Sequence, residues 1–139
     1  MILLDTDTIS LLAAGHARVA ARFASSTEPV ATTIVTRIEV LRGRFDFLLK
    51  AADGDQLRRA QLRLEQSDRD LARFGITPIN ADAAAEFDRL RHDRKLRKIG
   101  RADLLIASIA LAHRATLVTR NVQHFRQVPG LNVENWADE

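Results

Sequence analysis

Short apolar runs without polar alternation recur along the chain, and helical periodicity fills the intervals between them. A strand that is apolar on both faces is buried on both faces, and strands of that kind belong to parallel sheets sheathed by helices. Ile2-Leu3-Leu4 is the first run, and it stops at Asp5. Val30-Ala31-Thr32 is the second and Ile76 to Ile79 the third, with Pro78 favouring an edge position because proline cannot donate to a ladder. Thr116-Leu117-Val118-Thr119 is the fourth, and Leu131 to Trp136 is expected as a last edge strand. The expected fold is therefore α/β, a central parallel sheet of four to five strands flanked by helices on both faces, in one domain spanning residues 1–139.

Thr6-Asp7-Thr8 supplies capping side chains for a short helix through Ile9, Leu11 and Leu12 to Gly15, and a second helix runs through Val19 and Phe23. A helix from about Thr33 carries Ile34, Ile38, Leu41 and Phe45 on one face. Asp53 to Phe74 reads as a long charged helix with one apolar stripe of Leu57, Ala60, Leu64, Leu71 and Phe74, stopped by Gly75. Asn80 or Asp82 caps a helix through Phe87 and Leu90 that continues into the basic stretch Arg91 to Lys98 and breaks at Gly100. From Asp103 the chain is apolar on nearly every side, as a helix buried against a sheet must be. Asn121 to Phe125 reads as a short turn or helix.

Composition excludes several classes. No stretch approaches the roughly 18 apolar residues of a membrane span, and the longest candidate, Leu104 to Ala112, is interrupted by Ser108. The opening Met-Ile-Leu-Leu-Asp lacks the marks of a secretory signal, so a cytoplasmic location is expected. With no cysteine, thiolate catalysis and cysteine-based zinc sites are excluded. The net charge of +3 is carried almost entirely by arginine, lysine occurring only at Lys50, Lys95 and Lys98. Arginine's planar fork suits phosphate or carboxylate, so either a nucleic acid or an acidic protein fits the charge. An arginine-rich surface with no partner at all fits it equally.

In open parallel sheets the functional crevice lies beyond the carboxyl ends of the strands. Asp5 follows the first strand directly, Asn121 follows the fourth by two residues, Glu39 lies about two turns into the helix after the second, and Asp103 opens the buried helix. These four are expected to converge. Carboxylates about 4 Å apart repel by roughly 4 kcal/mol at an effective dielectric near 20. Protons or a hard divalent cation must offset that repulsion, and all-oxygen ligation at neutral pH points to Mg2+, with Mn2+ as the substitute. The chemistry that follows is phosphodiester hydrolysis by activated water. Each acid also has a plainer reading: Asp5 as a helix cap, Asp103 as a complement to a helix dipole, Glu39 as half of a capping box with Thr36. Other chemistries are poorly served, since His16, His92, His113 and His124 lack zinc-ligand spacing and neither a Gly-x-Ser-x-Gly elbow nor a phosphate-cradling glycine loop is present. A metal-free ribonuclease with paired histidines stays open as a minor alternative.

Four blocks in order carry a family resemblance over nearly the whole chain: Leu3-Leu4-Asp5-Thr6-Asp7-Thr8, Thr36-Arg37-Ile38-Glu39-Val40-Leu41-Arg42-Gly43, Ile99-Gly100-Arg101-Ala102-Asp103-Leu104-Leu105-Ile106-Ala107, and Leu117-Val118-Thr119-Arg120-Asn121-Val122-Gln123-His124-Phe125, followed by Pro129-Gly130-Leu131. They resemble the PIN-domain ribonucleases, and among these the VapC-type toxins of bacterial toxin–antitoxin modules. The resemblance implies metal ligation centred on Asp5 and Asp103 with Glu39 as third acid, Thr36 hydrogen-bonding within the site, and Asn121 at the fourth position. It departs from the pattern at Asp7, where these toxins more often carry Asn, and at Asn121, where many PIN domains carry an acid. One firm metal and a weaker second one are therefore expected.

The same likeness implies an RNA substrate, often a structured tRNA or rRNA, a cognate VapB-type antitoxin whose tail fills the active-site groove, and a homodimer. Arg37, Arg42, Arg44, Arg101 and Arg120 lie close in sequence to the acidic positions and are candidates to grip RNA phosphates or an acidic antitoxin tail. The run from Arg91 to Lys98 extends that grip or is simply a solvated face. Few aromatics, with no tyrosine and one tryptophan, argue against a stacking platform for single strands. The alternative function is an RNA- or protein-binding PIN-like module with little catalysis of its own.

Overall fold

The computed structural model describes residues 1–138. Strands β1 (Ile2–Leu4), β2 (Val30–Thr33), β3 (Gly75–Thr77), β4 (Thr116–Val118) and β5 (Asn132–Glu134) pair in the order β3-β2-β1-β4-β5, and every pairing is parallel. Around them lie α1 (Thr6–Ala13), α2 (Ala17–Ser25), α3 (Ile34–Leu49), α4 (Gly54–Leu71), α5 (Ala81–Arg91), α6 (Arg101–Ala112) and α7 (Val122–Phe125).

Strand geometry sends alternate side chains to opposite faces, and the core divides accordingly. Leu3 and Leu117 point to one face, where they join Leu90 of α5, Ile106 and Ile109 of α6, and Phe125. Ile2, Leu4 and Val118 point to the other, against Ile9 of α1, Val19 of α2, Leu71 and Trp136. The expected helices on both faces are thus present. The long crossovers make β1 the centre of the sheet: the chain steps outward to β2 and β3, then returns to the opposite side for β4 and β5. The strand order reverses beside β1, and in open α/β sheets such a reversal opens a crevice at the carboxyl edge.

Several local expectations are corrected. The cap of α1 is Asp5, whose side chain accepts from the Thr8 N–H, while Thr6, Asp7 and Thr8 lie inside the helix. Gly75 opens β3 rather than ending the preceding helix, which stops at Leu71; β3 lies at the sheet edge, and Pro78 follows it. The basic stretch does not prolong α5, which ends at Arg91; a single 3-10 turn, Arg94–Leu96, is capped by Asp93 and anchored by buried Leu96 and Ile99. Gly100 is then the N-cap of α6.

On α3 the apolar face divides: Ile34 and Leu41 pack against the core, whereas Ile38 and Phe45 are 48% and 50% exposed. The helix is turned so that Thr36 and Glu39 meet α1, and an apolar stripe on the other side is left outward. Among the described residues no helix is long and apolar enough to cross a membrane.

Leu117 is fully buried at the centre of the sheet. Leu117→Ala is expected to cost about 2–5 kcal/mol, the range for truncating a fully packed leucine, read as a lowered urea midpoint at unchanged slope.

Candidate active site

Asp5 stands where β1 runs out. Its backbone N–H makes a last ladder bond to the Val118 carbonyl (3.0 Å), and its Oδ1 accepts the Thr8 N–H (2.9 Å). The plainer reading of Asp5 as a cap therefore holds, and it does not exclude the other, because only one oxygen is engaged by the helix. Across the edge, Thr33 caps α3 by accepting the Thr36 N–H (3.1 Å). The capping box imagined for Glu39 does not form; its carboxylate goes to α1 instead. Thr6 Oγ1 donates to Glu39 Oε1 (2.7 Å) and lies 3.0 Å from Thr36 Oγ1. A threonine hydroxyl has one proton, so when Thr6 gives it to Glu39 the Thr36 hydroxyl must donate to Thr6. The result is a directed relay, Thr36 to Thr6 to Glu39.

Asp103 occupies the first turn of α6, whose N-cap Gly100 offers no side-chain bond, so a negative charge there complements the helix dipole. Its Oδ2 lies 3.7 Å from His124 Nε2 on α7. Asn121, the N-cap of α7, is fixed through its own N–H, which donates to Thr119 Oγ1 (3.0 Å). Asp5, Thr6, Asp7, Glu39, Asp103 and Asn121, with Ile106 and Phe125, line a single hollow of about 180 Å³. The four residues expected to converge from separate elements thus share one hollow, and Thr36 stands behind it.

The electrostatics record the crowding. Burial raises the Asp5 carboxyl above the usual carboxylate range, against hydrogen bonds from Thr119 and Thr8 that pull it down, while Asp7 pushes it further up. Burial also raises Asp103; His124 opposes the rise, and Glu39, Asp5 and Asp7 add repulsion. Among the described residues, however, no group of three or more His, Asp or Glu side chains is gathered tightly enough to hold a metal ion directly. The expected three-acid ligand set is therefore not drawn into a closed cage. Thr6 holds Glu39 on α3, and the Thr8 N–H holds Asp5 on α1. The donor chemistry still fits a hard divalent ion, since every acid and amide in the hollow offers oxygen.

Sequence reasoning missed Thr6, read only as a cap, together with Thr119 and His124. The signal for His124 was present in its place three residues after Asn121, which puts both on one short helical turn. The arginines are dispersed. Arg37 pairs with Asp68 at 4.0 Å, Arg44 donates to Ser67 (2.9 Å), Arg101 lies over the Phe87 ring at 5.3 Å, and Arg42 is exposed on α3. Arg120 lines a shallow hollow with Asp7, Ser10 and Leu11, and so adjoins the acidic one through Asp7.

A switch-point cleft with acids converging from the end of β1, the second turn of α3 and the first turn of α6 agrees with a family match over residues 2–131, to the PIN domain. The chain belongs to the PIN-domain family. This PIN domain is 41% identical over 68 residues to Ribonuclease VapC2 of Rickettsia felis, a match covering 48% of this chain and about half (51%) of that relative. Over full length it resembles FitAcB from Neisseria gonorrhoeae, at 30% identity, TM-score 0.76 and 100% coverage of both chains. It also resembles VapBC2 from Rickettsia felis bound to a DNA fragment from their promoter, at 27% identity and TM-score 0.74, covering 98% of this chain and 99% of that one.

Raised carboxyl pKa values make a stability contribution that is full below the ordinary carboxylate range and lost as pH climbs through the raised value. In chelator, the wild type should lose stability on this rise, and Asp103→Asn should flatten the profile, measured as unfolding free energy from pH 4 to 8. Asp5→Asn should act likewise while keeping α1 capped, because asparagine caps as well as aspartate.

Proposed function

We propose that this PIN domain is a metal-dependent endoribonuclease and the toxin of a toxin–antitoxin module, hydrolysing RNA phosphodiester bonds at the Asp5–Glu39–Asp103 hollow. The observation that carries the reading is the meeting of these acids with Asn121 in one hollow at the sheet's switch point, where burial chiefly, and neighbouring acids after it, hold Asp5 and Asp103 above their ordinary pKa. The named relative, a ribonuclease, and the solved VapBC assembly support the activity and a VapB-type partner.

Asp5 and Asp103 are the residues proposed to hold a Mg2+ ion, or Mn2+, with Glu39 contributing directly or through water. Magnesium keeps several waters and takes few direct carboxylates, so an open set of acids suffices where a closed cage is lacking. Such a cation offsets charge developing on the phosphate and lowers the pKa of water. The remaining work falls to the protein. The Thr36–Thr6 relay fixes the Glu39 carboxylate in one orientation, Asn121 places a neutral amide opposite, and Ile106 and Phe125 form a dry wall that strengthens the field inside.

The outer faces of α3 and α4 leave Ile38, Phe45, Phe47, Leu49, Leu57 and Leu62 exposed, an apolar surface of the kind a protein partner covers. That favours an antitoxin or a second copy of the chain as occupant. tRNA or rRNA is the proposed substrate class, with Arg37, Arg42, Arg101 and Arg120 as candidate phosphate contacts.

The decisive experiment is cleavage of total RNA with and without chelator, with product ends mapped. Activity should vanish with chelator and return with Mg2+. Asp103→Asn should reduce it by more than the roughly 10–100-fold typical of losing an outer partner of a metal site, and Thr6→Val, which breaks the relay, by about that amount. Undiminished cleavage by Asp103→Asn would refute the assignment; RNA binding without turnover would favour a binding module instead.

A further inference from the structure

Beside the acidic hollow, one arginine is already gripping an anion, and that anion belongs to the protein. Arg120 offers Nε to Asp138 Oδ2 (3.3 Å) and Nη2 to Asp138 Oδ1 (3.4 Å), the two-point fork with which guanidinium takes a carboxylate or a phosphate. Both side chains are about half exposed, so the pair is one that solvent and competing anions reach.

Asp138 is not there by chance of a loose segment. After β5 the chain is anchored by Trp136, 2% exposed, whose indole N–H donates to Glu134 (2.9 Å) beneath the Arg22 guanidinium. Buried Asn135 then folds the backbone back: its Oδ1 accepts the N–H groups of Ala137 and Asp138, and its amide donates to Asp138 Oδ2 (3.2 Å). Arg18 holds the Asp138 carbonyl (3.1 Å). The carboxylate is thus presented in a fixed orientation to an arginine adjoining the site through Asp7.

We propose that Arg120 is a specificity-side phosphate contact for RNA next to the scissile bond, and that Asp138 is its built-in competitor, a carboxylate that RNA must displace in order to bind. This rests on the ribonuclease reading above. Asp7, across the same hollow, makes no ion pair with Arg120 among the described residues, so Asp138 is the anion to be exchanged. Exchange needs no movement of the sheet, only release of one surface carboxylate from a fork that a phosphate oxygen pair reproduces. Its effect is to set a threshold: weakly held or uncharged ligands do not open the fork, and polyanions do.

The test uses the full chain with Mg2+, total RNA for turnover and a single-stranded RNA oligonucleotide for the salt dependence of binding. Asp138→Asn keeps the amide contact to Asn135 and removes the competing charge; it should lower KM about two- to five-fold at unchanged kcat, the scale of one exposed ion pair. Arg120→Ala should raise KM and reduce the slope of log affinity against log salt by about 0.7, one phosphate contact on a single strand. In the Arg120→Ala background, Asp138→Asn should have no further effect. Independent, additive effects of the two substitutions, or an unchanged KM for Asp138→Asn, would overturn the competitor role while leaving cleavage intact. Tighter binding of an acidic peptide but not of RNA by Asp138→Asn would reassign Arg120 to a protein partner and overturn it too. If the wild type cleaves no RNA, the ribonuclease reading itself fails, and this inference with it.

Discussion

The acidic edge depends on a conflict carried by one residue, Asp5. It ends a strand at the sheet's centre, where water is scarce, and a carboxylate in such a place costs free energy unless its oxygens are bonded. Helix α1 offers a partial remedy by turning its free Thr8 N–H onto Oδ1, and the Thr119 side chain beside it also favours the charged form. The remedy fixes the side chain without neutralising it. The same arrangement that makes α1 begin where it does therefore leaves an oriented, under-compensated negative charge at the crevice.

Around Asp5 two other elements bring further acids to the same hollow. The polar face of α3 is turned inward so that Thr36 and Glu39 reach Thr6, at the expense of leaving Ile38 and Phe45 outside. Helix α6, almost wholly apolar and buried, points its one early acid at the same hollow, where the partial positive charge of its first turn favours it. Packing and electrostatics are not separable here: the helix faces that best cover the sheet are not all the faces that are buried.

Much of this was legible in the sequence, and the limits are instructive. Uninterrupted apolar runs such as Ile2–Leu4 marked the parallel strands correctly because burial on both faces leaves no room for alternation. The acids Asp5 and Asp103 were legible because each stands at the border of an apolar segment. The face of α3 was not, since a hydrophobic stripe through Ile38 and Phe45 looks the same whether it meets the protein's own core or the outside, and only the partner at Thr6 decides. Nor could the basic stretch be resolved: Leu96 and Ile99 pin it against the core at separations that fit a helix or a turn equally well. The pairings of Asp138 with Arg120 and of His124 with Asp103 join residues distant in sequence, and the spacing of His124 from Asn121 marks its place on α7 without naming its partner.

The register of the sheet has a consequence for how the molecule comes into being. β1, the first strand made, lies between β2 and β4, and its bonds to β4 join Leu3 to Leu117 and Leu4 to Val118. Thr8 likewise waits for a carbonyl 110 residues further along. Contacts of such separation form late, after the loop entropy of the intervening chain has been overcome. During synthesis Asp5 and Glu39 therefore emerge before Asp103 and before the strand that completes their wall. The acidic edge is chemically incomplete until β4 has followed β1 out.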